Sequence, residues 1–148
     1  MRDSIIRFFV ENTKYRIKNK IAVRRWLLDA IVQENRTLGY INIILCTDDY
    51  LHDLNQKYLS HDTFTDIITF DFNEKELLIG EIFISIDRVK ENAGIYGVKV
   101  VDELHRVIIH GVLHLCGSMD KSRKDKKLMT DKENYYLLKR PEKLIVTT

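Results

Sequence analysis

Apolar and polar positions follow two different periods along the chain, and the two periods predict different elements. Short apolar segments rich in β-branched residues, with partial alternation, predict strands at residues 4–10, 40–46, 65–71 and 77–86. Longer segments with a repeat near 3.6 residues predict helices at residues 15–33, 47–58, 87–94, 100–115 and 123–138. This order predicts an α+β fold in one domain, residues 1–148, with a mixed four-stranded sheet covered by helices.

Several of the predicted helices begin or end at residue types that are typical of helix termini. Thr47 and Asp87 are suitable N-caps for the helices that follow them, because their side-chain oxygens can accept free backbone N–H groups. Gly94 is expected to close the short third helix, and Gly117 to end the fourth as a C-cap. Pro141 follows the last helix, which it could not continue.

The fourth predicted helix, residues 100–115, is apolar over most of its circumference, so we expect it to lie buried at the centre of the fold. Two histidines, His110 and His114, interrupt this apolar surface at a spacing of four residues. That spacing places both imidazoles on one helical face, as in helices that bind zinc through HxxxH. A buried imidazole without a partner costs desolvation energy, which makes a metal ion the favoured interpretation over two hydrogen-bonded core histidines.

Asp120 follows the glycine that ends this helix, where the chain can turn back toward the same ion. A carboxylate oxygen binds zinc at nearly the same distance as an imidazole nitrogen, so His110, His114 and Asp120 are the predicted metal ligands. Three protein ligands leave the fourth position open, which is typical of catalytic rather than structural zinc sites. Cys116 lies two residues after His114 and is expected to point away from this face.

The residue after His110 is Gly111, where an HExxH protease carries the glutamate that serves as its general base. A zinc metalloprotease is therefore the weakest of the functional alternatives. A glycine at this position allows a close approach to the helix, either by substrate backbone or by another packed element. The sequence alone leaves these two explanations open.

The distribution of charge indicates a possible binding partner, and the cysteines and the hydropathy indicate the cellular compartment. Residues 14–25 contain six Lys or Arg and no acid, and residues 121–143 contain nine basic residues against four acidic ones. Both segments could be solvated helix faces, or they could bind the phosphate backbone of a nucleic acid. Cys46 and Cys116 lack CxxC spacing, and no segment is long and apolar enough to cross a membrane or to serve as a secretory signal. We therefore expect two reduced thiols and a cytoplasmic protein.

The chain resembles the YbeY family of bacterial endoribonucleases, whose signature is His-Gly-x-Leu-His-Leu-x-Gly-Tyr-Asp-His. The residues that match this signature are His110, Gly111, Leu113, His114, Leu115 and Gly117. An upstream family segment, LN..YR..D.PTDVLSF, is matched by Leu54, Asn55, Tyr58, Asp62, Thr65, Asp66 and Phe70. A family strand, LGDI.IS, is matched by Ile79, Gly80, Glu81, Ile82, Ile84 and Ser85. The similarity extends over roughly residues 40–138.

The resemblance implies a mixed α+β fold with the metal helix at its centre. It also implies Zn²⁺, cleavage of single-stranded RNA, and a role in 16S ribosomal RNA maturation and ribosome quality control, with ribosomal RNA and ribosomal subunits as partners. The chain departs from the family at Asp120, where the family has a third histidine, at Leu59, where it has an arginine, and at Phe64, where it has a proline. An anionic ligand lowers the charge of the site, which weakens the Lewis acid and makes another divalent ion such as Mn²⁺ more acceptable.

Catalysis would need a carboxylate to orient the attacking water and a cation to stabilise the charged phosphate. Asp66 and Glu81 are the candidate catalytic carboxylates, and the alternative for each is a structural hydrogen bond. The candidate cations in place of the family arginine are Lys57, His61 and Arg88. Because leucine cannot supply positive charge, a non-catalytic metal-binding protein associated with ribosomes is the main alternative function.

Overall fold

The computed structural model describes residues 5–59 and 65–145. Its strands are β1 (Ile5–Glu11), β2 (Thr37–Cys46), β3 (Ile67–Asp71) and β4 (Leu77–Ser85). Its helices are α1 (Lys20–Gln33), α2 (Asp48–Leu59), α3 (Ile86–Tyr96), α4 (Val100–Leu115) and α5 (Arg123–Leu138), followed by a short 3-10 turn (Glu142–Leu144). The predicted succession of strands and helices is confirmed.

The four strands form one mixed sheet in the order β1-β2-β4-β3. β1 and β4 both pair with β2 in parallel, and β3 pairs antiparallel with β4 at one edge of the sheet. The predicted α+β class with a mixed four-stranded sheet is therefore confirmed. β1 and β3 form the two opposite edges, which matters below because the candidate site lies beside β3.

The two faces of the sheet pack against different helices. On β4, Leu78, Ile82 and Ile84 belong to the main hydrophobic core, which also contains the apolar sides of α1 and α4. Phe83, one position out of phase, packs in a smaller cluster with Leu51 of α2. This alternation is the two-residue period of a strand with both faces covered. It places α4 and α2 on opposite faces of the sheet.

Gly111 brings α4 close to the sheet. A Cβ atom at this position would lie 2.9 Å from Ile67 Cδ1 and 2.9 Å from Ile82 Cγ2. The close approach that the glycine allows is therefore made by the sheet and not by substrate. Of the 16 residues of α4, ten are buried, in agreement with the predicted central helix.

Several predicted boundaries are wrong, including the starts of β2 and β3, and three of them have a clear local reason. α1 begins at Lys20 rather than at residue 15, because Asn19 adopts a left-handed conformation with φ 56°. α3 is capped by Ser85, whose Oγ accepts the N–H of Arg88, whereas the Asp87 carboxylate accepts the N–H of Asp48 and caps α2. α3 then continues through Gly94 to Gly97, whose φ of 67° ends it.

Other local predictions hold. Thr47 Oγ1 accepts the N–H of Tyr50 at 3.2 Å, as expected of the residue that precedes α2. In the part of the chain that the structure describes, no helix combines the length and the hydropathy needed to cross a bilayer.

Candidate metal centre

His110 and His114 lie on the same face of α4, at the end of the helix that faces β3. Their ring centroids are 5.1 Å apart and the rings are inclined at 61°. Both side chains are only partly exposed, at 22% and 33%. The spacing of four residues thus produces the paired imidazoles that the sequence predicts.

The chain reverses directly after α4 and brings Asp120 back to these histidines. Gly117 has φ 108°, and the N–H groups of Gly117 and Ser118 bond back to the carbonyls of His114 and Leu113. This is the backbone pattern of a helix that ends at a glycine. Asp120 Oδ2 then lies 3.4 Å from His110 Nε2, and Asp120 Oδ1 lies 3.3 Å from His114 Nε2.

The three groups fit a divalent cation by distance and by chemistry. In residues 5–59 and 65–145, His110, His114 and Asp120 are the set of His, Cys, Asp and Glu side chains that could share an ion, with ligand atoms all within 4.8 Å of one another. Neighbouring ligands of a tetrahedral zinc, with bonds of about 2.05 Å, are separated by roughly 3.3 Å. The two carboxylate-to-imidazole distances match that separation.

Glu133 of α5 approaches the other side of the His110 ring. Its Oε2 lies 2.6 Å from His110 Nδ1, while its Oε1 accepts a hydrogen bond of 2.8 Å from Arg106. Arg106 also donates to the side chain of Asn134. Burial alone would lower the pKa of His110, but the hydrogen bond and charge of Glu133, aided by Asp120, leave that pKa raised.

A cleft of about 410 Å³ opens beside the three groups. Asp66 lies in its wall together with Thr65, Thr69, Tyr96 and Glu103. Burial raises the pKa of the Asp66 carboxyl, and the nearby His110 ring partly opposes this rise. The backbone carbonyl of Asp66 accepts the N–H of Ser85, which fixes this residue at the start of β3. The structure therefore brings the predicted Asp66 to the same cleft as the histidines.

Glu81 is placed elsewhere. On β4 it lies between Gly80 and Ile82, both of which face α4, so its side chain points to the opposite face of the sheet. There its Oε2 accepts a hydrogen bond of 3.4 Å from Asn42, and its charge acts on Tyr50 of α2. The catalytic role predicted for Glu81 is not retained, because the sheet separates this carboxylate from His110.

Neither of the two described cations suggested in place of the family arginine is a free cleft residue. Arg88 pairs with Asp48 at 3.2 Å and with Glu91 at 3.5 Å. Lys57 lies over the Tyr58 ring on α2, on the other face of the sheet. His61, like Asp62 and Phe64 of the motif comparison, lies outside the described residues.

Arg106 carries the permanent positive charge among the described residues that line the cleft. Sequence reasoning missed it, although it lies four residues before His110 and hence on the same face of α4. Glu133 was missed as well. It is buried, at 7% exposure, on a helix that is otherwise strongly polar, and burial of a charged residue is not readable from sequence.

The cysteines take no part in the cluster. Burial raises the pKa of the Cys116 thiol to about 11 and that of the Cys46 thiol to about 12. Both are free thiols, as predicted, and neither belongs to the group of described side chains that could share an ion.

Comparisons with known proteins agree on one family. A profile described as endoribonuclease YbeY matches residues 8–140. The chain is 46% identical over 135 residues to endoribonuclease YbeY of Cytophaga hutchinsonii, covering 90% of this chain and 94% of that protein. It is 45% identical over 126 residues to endoribonuclease YbeY of Flavobacterium johnsoniae, covering 85% and 91%. The solution structure of TM1509 from Thermotoga maritima is similar with a TM-score of 0.62 and 30% identity, covering 89% of this chain and 86% of that one.

Proposed function

The chain belongs to the endoribonuclease YbeY family, and on that premise we propose that it is a metal-dependent endoribonuclease that cuts single-stranded RNA. The observation that carries the proposal is the convergence of His110, His114 and Asp120, with Asp66 in the adjoining cleft. We further propose 16S ribosomal RNA maturation and ribosome quality control as its biological role, with ribosomal RNA and ribosomal subunits as partners in the cytoplasm. These finer assignments rest on the family.

His110, His114 and Asp120 would hold one divalent cation per chain, Zn²⁺ in the first instance. When bound, such a cation supplies Lewis acidity to a phosphate oxygen and makes water a better nucleophile at neutral pH. The aspartate reduces the net charge of the three ligands by one relative to three histidines. This weakens the Lewis acid and favours harder ions such as Mn²⁺ more than a trihistidine site would.

Asp66 is the general base of the proposed reaction. Water attacks phosphorus, the Asp66 carboxylate accepts the proton that the water loses, and one bridging P–O bond breaks as the leaving ribose oxygen takes a proton from solvent. Burial raises the pKa of Asp66, and a carboxylate with a raised pKa is the stronger base. A metalloprotease mechanism lacks the corresponding group, since Gly111 stands at the position of the HExxH glutamate and packs against the sheet.

Arg106 contributes positive charge to the cleft wall. Its side chain is 34% exposed, so one side of the guanidinium remains open to solvent while the other binds Glu133 and Asn134. Because Glu133 partly neutralises it, Arg106 is expected to attract the RNA backbone less strongly than an unpaired arginine would. Leu59, at the end of α2, supplies no charge and is 42% exposed.

The test of the metal site is elemental analysis of the purified wild type and of variants His114→Ala and Asp120→Ala, with His52→Ala on α2 as the control. We expect about one ion per chain in the wild type and in the control, and a large loss in both ligand variants. Stoichiometric metal in Asp120→Ala would remove this residue from the ligand set.

The test of activity uses single- and double-stranded RNA of the same sequence, with and without chelator. We expect cleavage of the single strand only, lost with chelator and restored by Zn²⁺ or Mn²⁺. A metal-loaded protein that co-sediments with ribosomal subunits but cuts no RNA would support the non-catalytic alternative instead.

A further inference from the structure

Two adjoining depressions lie at the β1 edge of the sheet, and they share the residues Ile17 and Lys20. The first, of about 710 Å³, is lined by Phe9, Val10, Lys14 and Arg16. The second, of about 790 Å³, continues past Arg25 to Lys143 and the turn at Pro141. We call the continuous surface formed by Lys14, Arg16, Lys20, Arg25 and Lys143 the β1 groove.

The charge of the β1 groove is almost entirely positive. Its five cations face one acidic lining residue, Glu142. Lys14, Arg16 and Lys20 are exposed, and none of them forms an ion pair with an acid in the described parts of the chain. The uncompensated charge therefore faces solvent, where an anionic partner can reach it.

The other basic segment, residues 121–143, is partly neutralised within the fold. Lys132 pairs with Glu34 at 2.6 Å, Arg140 with Asp102 at 2.9 Å, and Lys127 with Asp131 at 3.4 Å. The two basic segments of the sequence carry similar net charge, but they differ in how many of their cations form ion pairs in the structure. Among the described residues, none of the six cations in residues 14–25 forms an ion pair, whereas three of the nine in residues 121–143 do. The first segment therefore keeps all of its cations available to a partner.

Apolar side chains at the end of β1 border these cations, whereas the Phe9 ring, paired with Ile44, points to the other face of the sheet. Phe9 is 47% exposed, although it lies in the β1 strand, and Val10 beside it is equally exposed. The neighbouring Phe8 ring is covered by the Arg24 guanidinium at 5.2 Å. A row of exposed cations of this kind can bind the phosphate backbone of a single-stranded nucleic acid without sequence preference.

From these observations we propose that the β1 groove is a second RNA-binding surface, which holds the phosphates of single-stranded RNA on Lys14, Arg16 and Lys20. The inference rests on the proposed endoribonuclease function and adds to it a surface outside the cleft. β1 and the cleft-side strand β3 are separated by three inter-strand spacings, or roughly 14 Å. A single RNA strand that leaves the cleft can therefore also bind the β1 groove.

An RNA strand fits the β1 groove better than an anionic lipid surface does. A lipid bilayer presents a broad plane, which is best met by a flat or convex face with apolar side chains pointing outward. The cations here line two depressions that continue into each other, a shape that accommodates a chain. Lipid binding is nevertheless a distinct outcome of the experiment.

The experiment measures binding of a labelled single-stranded RNA of about 24 nucleotides by fluorescence anisotropy, in chelator so that no cleavage occurs, over a series of salt concentrations. The test variant combines Lys14→Gln, Arg16→Gln and Lys20→Gln. The matched control removes the same charge from α5 through Lys124→Gln, Lys126→Gln and Lys127→Gln. All six positions are exposed, and thermal unfolding checks that both variants fold.

We expect the test variant to bind the long RNA roughly tenfold more weakly, with the slope of log affinity against log salt reduced by about 2, because each phosphate contact contributes about 0.7. The α5 control should lose less than about threefold in affinity.

Equal losses in the test variant and the α5 control would overturn the proposal, because a general reduction in charge would then explain both. A wild type that binds no single-stranded RNA at low salt would instead overturn the proposed function itself.

Vesicles of phosphatidylcholine with phosphatidylglycerol form the last arm of the experiment. If they bind the wild type and not the test variant, while RNA binding is unchanged, the β1 groove is a lipid-binding surface.

Discussion

Glu133 Oε2 lies 2.6 Å from His110 Nδ1, so α5 holds the imidazole that α4 presents to the candidate metal centre. An ionised carboxylate can only accept a hydrogen bond, so the proton of the neutral ring must lie on Nδ1. The lone pair of Nε2 then faces Asp120, in the tautomer that a metal ion requires. Arg106 donates a hydrogen bond to Glu133, which itself contacts His110 Nδ1. These two successive contacts orient the His110 ring from the side opposite to the candidate metal site.

Replacing Glu133 should weaken metal binding although the residue is not a ligand. We expect Glu133→Ala to reduce metal affinity about 10- to 100-fold, the range typical of groups that orient a metal-binding histidine. Glu133→Gln should lose less, because its amide oxygen still accepts the Nδ1 proton. The measurement is competition with a chelating dye, and Glu103→Gln, in the same cleft, is the control. Unchanged affinity in Glu133→Ala would contradict the orienting role.

Asp66 and Glu81, the two predicted catalytic carboxylates, should now behave differently. Asp66→Asn should lower the rate of RNA cleavage by about 10²- to 10⁴-fold, because an amide cannot accept the proton of the attacking water. Bound metal should remain stoichiometric in this variant. Glu81→Gln should leave the rate almost unchanged, since its side chain lies on the other face of the sheet. Single-turnover cleavage assays with metal analysis of the same samples compare the two, and equal loss of activity in both variants would contradict the assignment.

Gly111→Ala should destabilise the fold. The added methyl would meet Ile67 and Ile82 at 2.9 Å, and overpacking in a core typically costs about 1–3 kcal/mol. The better helix propensity of alanine offsets up to about 1 kcal/mol of this cost. Gly94→Ala on α3 is the control, because a Cβ there meets nothing within 4 Å and should be neutral or stabilising. Urea unfolding of both variants gives the comparison, and a Gly111→Ala protein more stable than the wild type would refute the packing argument.

His105 should make the stability of the fold depend on pH. Burial, with the nearby Arg140 guanidinium, lowers the pKa of His105 from its ordinary value of 6.5 to about 4, while Asp102 partly opposes the shift. Between pH 6.5 and about pH 4, His105 therefore binds a proton in the unfolded chain but not in the folded chain. This contribution to stability is fully present above pH 6.5 and is lost as the pH falls toward 4.

The check compares the wild type with His105→Asn, whose Oδ1 can accept the hydrogen bond that Arg140 donates to Nδ1. Between pH 7.5 and pH 5 the wild type should lose about 2 kcal/mol more free energy of unfolding than the variant. Carboxyl groups titrate in both proteins, so the difference between their urea unfolding curves isolates His105. Parallel pH profiles would mean that the native ring accepts a proton near pH 6.5.

The part of the site that the sequence predicts is the part built by local geometry. His110 and His114 are placed by one helical turn, and Asp120 by a glycine-ended helix a few residues later. Arg106 and Glu133 meet only because α4 and α5 pack together, and nothing in their spacing of 27 residues indicates that contact. Contacts between helices, such as that between Arg106 and Glu133, depend on tertiary packing and cannot be predicted from sequence periodicity.

Glu81 shows a different limit. The alternation along β4 correctly predicts a strand with two faces, but it does not say which face carries the helix with the histidines. Gly80 and Ile82 face α4, so the intervening carboxylate must face α2. The start of α1 was predicted too early because Ile17 is buried and fits the helical period, although it lies before the left-handed Asn19 and outside the helix.

Gly117 constrains the metal centre without contacting it. At φ 108° any side chain would be strained, so the backbone there accepts glycine at far lower cost than any other residue. The donor at residue 120 faces no such restriction, because either an imidazole or a carboxylate can complete the coordination. We therefore expect the proposed ligand at residue 120 to be exchangeable for an imidazole, whereas Gly117 is expected to tolerate no side chain.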